Sequence, residues 1–130
     1  MAYGFPVTSD RPLDEVLARL KAALADQGFG VLSEIDLAGT LRAKIGAEHP
    51  AQLVLGVCNP TLADRALGLE ESIGLLLPCT VTVRATAAGT TVEALDPAMM
   101  VAVTGNPALE PVAQEAAQRL RAALEATVAS

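Results

Sequence analysis

Two cysteines, Cys58 and Cys79, are the side chains best suited to chemistry in this chain. Cys58 ends an apolar run and directly precedes Asn59-Pro60, a pair that starts helices. A thiol at a helix N-terminus feels the positive end of the helix dipole, which favours the thiolate. Cys79 follows Pro78 at the head of an alternating run. If the two segments become neighbours, the thiols form a cysteine pair able to act as a redox couple or to hold a soft metal. Met99 and Met100 are further soft donors. The competing reading is that both cysteines are small buried hydrophobes, the usual lot of free cysteine.

Other candidates are weaker. His49, the one histidine, sits in a loop beside Pro50 without an obvious partner. Glu34, Asp36 and Asp96 are carboxylates near turns, where such residues usually serve as caps. The sequence has no G-x-S-x-G, P-loop, dinucleotide fingerprint, H-E-x-x-H or paired C-x-x-C. A nucleophile needs a base, and none is well placed. The chain therefore reads as a ligand-binding or accessory module, with ligand-binding residues Cys58, Asn59 and Cys79, ahead of a hydrolase or transferase that would have only Glu34, Asp36 and Asp96 to work with. The alternative is a thiol-dependent protein handling redox equivalents, a soft metal or haem. No cofactor is specified, and two donors fall short of a tetrahedral metal set.

Composition narrows the class. The 130 residues are 52% hydrophobic but only 2% aromatic, with a formal net charge of −6. A core of small aliphatics is thin and favours close layers or a partner surface, so a homodimer is expected. The basic residues are scattered singly with no aromatic interleaving, which argues against nucleic acid. No secretory leader is evident at MAYGFPVTSDRP, and no apolar run approaches bilayer length, so a cytoplasmic setting without membrane attachment is expected. Free thiols persist in that compartment.

The elements around these residues follow from periodicity. Tyr3–Val7 reads as a strand, and Arg11–Gln27 as an amphipathic helix capped by Asp10 and closed by Gly28. Phe29–Ile35 alternates as a strand with Phe29, Val31 and Ile35 on one side. Asp36 should cap a short helix ended by Gly46. Ala51–Val57 reads as a central strand covered on both faces, and Asn59-Pro60 opens a short helix. Ile73–Leu77 and Cys79–Thr86 read as one long strand broken at Pro78. Ala87-Ala88-Gly89 turns into a return strand, Thr90–Leu95. Ala98–Val103 is helical. Asn106-Pro107 leads to a closing helix, in which Pro111 implies either a separate first turn or a later start. Residues 1–130 form a single domain on this reading: an α+β two-layer sandwich, β-α-β(4)-α, with a mostly antiparallel sheet covered by N- and C-terminal helices.

Four runs carry a resemblance: GFGVLSEIDLAGTLRAKIG, LVLGVCNPTLADRAL, SIGLLLPCTVTV and ALDPAMM. Their order and their agreement at EID, G-x-CNP, IGLLLPC and the closing DP resemble the domain of unknown function 302 family over about Gly28 to Asn106. The resemblance implies a β-α-β(4)-α domain of TATA-box-binding-protein-like architecture, often dimeric. It places Cys58, Asn59, Pro60, Pro78 and Cys79 at characteristic positions and supplies no reaction.

Overall fold

The computed structural model describes residues 3–130. Its elements are β1 (Gly4–Ser9), α1 (Leu13–Asp26), β2 (Gly30–Asp36), α2 (Leu37–Ile45), β3 (Gln52–Cys58), α3 (Pro60–Leu69), a 3-10 helix (Glu71–Leu76), β4 (Cys79–Thr86), β5 (Gly89–Leu95), α4 (Met99–Thr104), a 3-10 turn (Pro107–Leu109) and α5 (Glu110–Val128). The strands form one antiparallel five-stranded sheet in the order β1-β5-β4-β3-β2. This is the α+β architecture expected from the sequence.

Strand alternation builds the main core. Leu53, Leu55 and Val57 on β3 stand beside Val83, Val81 and Cys79 on β4, and Val92 and Ala94 continue the face on β5. Side chains at every second position share a face, so these residues point together at the helices. α1 and α5 lie side by side across that face, contributing Val16, Leu20, Leu24, Leu120 and Leu124. The aromatic contribution is small: Phe5 is buried at the sheet edge, with the Arg121 guanidinium 4.1 Å above its ring.

A second, smaller core is separate. Leu62 and Ala66 of α3, Ile73 of the 3-10 helix and Met100 of α4 pack against Leu109 of the 3-10 turn and Val112 and Ala116 at the start of α5. These short elements form a cap at one end of the sandwich.

Several expectations hold at the residue level. Asp36 Oδ1 accepts from Gly39 N at 2.9 Å, and Gly46 closes α2 with φ 68°. Asn59 Oδ1 accepts from Leu62 N at 3.3 Å, with Pro60 at the first helical position. The first turn at Pro107–Leu109 is separate from α5, which places Pro111 harmlessly near the helix start.

Others are corrected. Ile73–Leu77 is not a strand. Ile73 and Leu76 are three apart and both turn towards the second core, so the run folds as a 3-10 helix and β4 begins only at Cys79. A bulge between Val31 and Ser33 reverses the alternation in β2, leaving Val31 beside Val57 but sending Ile35 to the opposite face, where it is 51% exposed. β3 is covered fully on one face only: neither long helix reaches its Val54 side, where the short α2 alone packs against the strand. Asp10 does not cap α1; Pro12 holds that position without a side-chain cap.

Candidate functional site

Cys58, Asn59 and Cys79 all border one small cavity where the main core adjoins the cap. β3 delivers Cys58 at its last position, and Asn59 then opens α3. Asn59 makes a second contact that the sequence does not announce: its Nδ2 donates to Gln27 O at 3.3 Å. The side chain thus ties α3 to the end of α1. Gly28 sits beneath this link at φ +84°, and a Cβ there would lie 3.0 Å from Asn59 Nδ2. Both the left-handed backbone and the close approach require glycine.

A similar dependence links Gly56 to Pro78. A Cβ on Gly56 would fall 2.7 Å from Pro78 Cγ and 2.5 Å from Ser33 Oγ. The bare backbone of β3 is the surface on which Pro78 rests, and Pro78 fixes the entry of Cys79 into β4. The Leu77–Pro78 peptide bond is cis. The spacing G-x-CNP followed by LPC therefore describes one junction: Gly56 seats Pro78, Asn59 anchors the next helix, and the cysteines flank them.

The cysteine pair itself is corrected. β3 and β4 are neighbours, but the register sets Cys79 opposite Val57, not Cys58. Adjacent strand residues point to opposite faces, so Cys58 is turned away from the face that carries Cys79. Both cysteines are free and partly buried. They border a common cavity without standing as a close dithiol.

That cavity, about 20 Å³, is lined by Cys58, Asn59, Leu62, Cys79 and Met100 among others. A second void of about 30 Å³ lies on the far side of Cys79 and Met100, towards Leu95, Pro97 and Met99. Each has room for about one or two water molecules, given that one water needs roughly 10–15 Å³. Met100, unmarked in the sequence beyond its sulfur, is with Cys79 the partition between them. Burial pushes the Cys79 thiol up to about 11, and the charge of Cys58 adds to the shift. At neutral pH Cys79 is a protonated thiol, a poor nucleophile and a poor metal ligand.

The cap is latched by polar contacts at its rim. Arg65 Nη1 donates to Glu115 Oε1 at 3.0 Å, and Arg119 Nε donates to Glu115 Oε2 at 3.2 Å. Hydrogen bonds from Arg65 and Arg119 hold the Glu115 carboxyl below the usual range. Asn106 Nδ2 donates to Leu69 O at 3.1 Å and to Glu70 Oε1 at 3.0 Å.

The remaining sequence candidates lie elsewhere. Glu34 pairs with Lys21 at 2.8 Å, Asp36 caps α2, and Asp96 Oδ1 accepts from Ala98 N at 2.9 Å. His49 lines a surface cleft on the other side of the sheet. Among the described residues no cluster of three or more His, Cys, Asp or Glu could hold a metal ion, and no helix is long and apolar enough to cross a membrane.

The chain is similar to known proteins over nearly its full length. The crystal structure of an uncharacterized conserved protein DUF302 from Bacillus stearothermophilus superposes with a TM-score of 0.91 at 30% identity, covering 97% of this chain and 98% of that one. No curated protein matches the sequence. The family model for Domain of unknown function DUF302 matches residues 5–127, a range that includes the whole β3–β4 junction. The chain belongs to the DUF302 family.

Proposed function

We propose that this protein is a small binding or accessory module, not an enzyme, whose site is the crevice at Cys58, Asn59 and Cys79. The observation that carries this reading is the pair of apolar voids meeting at Cys79 and Met100, on the seam between the two cores. At about 20 and 30 Å³ they are closed to anything larger than water. Ligand pockets run to roughly 300 Å³ or more, so occupancy requires the cap to move off the sandwich. The voids are nearly all apolar, and the occupant is a small apolar molecule.

Benzene titration followed at the Met100 methyl by NMR tests this. A saturable shift at Met100 and Leu62, absent from the distal core, is expected; no saturable shift at either residue would refute the site. A thiol-dependent role in redox, soft-metal or haem handling is the weaker alternative, because Cys79 is held protonated and the thiols do not face each other. Stoichiometric copper(I) uptake lost in Cys79→Ser would reverse that order.

A homodimer fits the thin aliphatic core and the exposed Leu75, Val103 and Ile45. Light scattering should give twice the chain mass, and a monomer at micromolar concentration contradicts it. A cytoplasmic setting suits two free cysteines.

A further inference from the structure

The face of the sheet away from α1 and α5 bears two adjoining clefts. One, of about 370 Å³, lies between α2 and the sheet and is lined by Leu37, Leu41, His49 and Pro50. The other, of about 340 Å³, runs over Tyr3, Thr80, Thr82 and Leu95. Gln52 and Arg84 line both, and the register makes them cross-strand partners on one face. They form the saddle between the clefts.

The chemistry at that saddle is directional. Arg84 Nη1 donates to Glu93 Oε1 at 2.9 Å. The carboxylate fixes one corner of the guanidinium, while no hydrogen bond engages Nη2 or Nε among the described residues. A guanidinium oriented this way offers two parallel N–H groups matched to a carboxylate. The Gln52 amide stands beside it as a further donor. On one side the floor is apolar, from Leu37, Leu41 and Pro50. Each cleft alone has the volume of a small-ligand site.

We infer that this saddle is a second binding site, independent of the crevice beneath the cap, and that it takes a small organic monocarboxylate. The carboxylate sits on the free edge of Arg84 and on Gln52, and the hydrocarbon body lies against Leu37, Leu41 and Pro50. Glu93 is a positioning residue, since it acts on the ligand through Arg84.

Titration of the full chain with benzoate and with octanoate, read by NMR at the Arg84 Nε–H and the Gln52 side-chain amide, tests this. Benzamide is the uncharged control. At least one carboxylate should saturate both signals, benzamide should bind at least tenfold more weakly, and Arg84→Gln should weaken the carboxylate at least tenfold. Arg84 and Glu93 form a partly exposed pair, and such pairs contribute little to stability, so Arg84→Gln should fold. Glu93→Gln should weaken binding less than Arg84→Gln. No saturable shift with either carboxylate, equal binding of benzamide, or an Arg84→Gln variant that binds as well as the parent would each overturn the inference. Shifts confined to Met100 and Leu62 would also overturn it, because they place the probe in the other site.

Discussion

The two cores are built from the same aliphatic residues but on different principles. In the main core, residues far apart in the chain are brought together by strand register, and two long helices cover them. Leu20, Leu24, Leu55, Val57, Val81 and Val83 are all fully buried there. In the cap, short elements supply one or two side chains each, and only Ile73 and Leu109 are completely excluded from water. Ladder hydrogen bonds and long helices make the first region cooperative. The cap depends on a few polar latches: Asn59, Asn106 and the Arg65–Glu115–Arg119 cluster. Regions with less burial and fewer shared contacts open at lower free energy. Gly56, Cys58, Asn59, Pro78 and Cys79 lie on the boundary between these regions, where the proposed crevice would open without unfolding the sheet.

The largest difference should appear on truncation. Leu24→Ala removes a fully buried side chain from the main core and should lower global stability by about 3–5 kcal/mol in urea denaturation. Ile73→Ala should cost about 2–3 kcal/mol and loosen the cap before the sheet. Equal costs with a single common transition would erase the distinction.

Next comes the junction itself. Gly56→Ala forces a methyl against Pro78 and Ser33 and should cost about 1–3 kcal/mol as overpacking. NMR shifts should spread to both Cys79 and α3, and shifts limited to β3 would disconnect the regions. Asn59→Ala removes the cap of α3 and the tie to Gln27, for a loss of about 1 kcal/mol. Thermal melting measures the loss, and no change in Tm would mean that the latch is idle.

The smallest effect is electrostatic. Ultraviolet titration should place the Cys79 thiolate at about 11, above the ordinary 9.0. The folded state disfavours the charged form, so stability is intact below pH 9 and declines as pH rises from 9 to about 11. Cys58→Ser removes the secondary cause and should lower the midpoint while leaving it above 9.0, because burial is the larger cause. A midpoint at 9.0 in that variant would mean that Cys79 is solvated.

What was legible in the sequence is what local chemistry decides. Asp36, Gly46, Asn59 and Pro60 act through backbone groups within one turn, and each does what its type requires. The alternation of Cys79–Thr86 survived intact because that strand lies in the sheet interior. The run SIGLLL does not declare its conformation, because a short apolar segment carries no unique period and Ile73 is placed by a core assembled from α3, α4 and α5. Leu32 in the β2 bulge belongs to the same class: one inserted residue reverses a face without changing composition. The neighbourhood of Cys58 and Cys79 could be inferred, but their relative facing could not, because a one-residue offset in register decides it. The links from Asn59 to Gln27 and from Pro78 to Gly56 join distant positions by shape, and only coordinates expose them.

Native-state hydrogen exchange, resolved by residue, tests most directly whether the cap opens independently of the sandwich. The amides of α3 and α4 should exchange through openings of lower free energy than those of β3, β4 and β5, and should respond weakly to urea. Exchange of all five elements at one common free energy, with the urea dependence of global unfolding, would contradict a crevice that opens at the Cys79–Met100 seam.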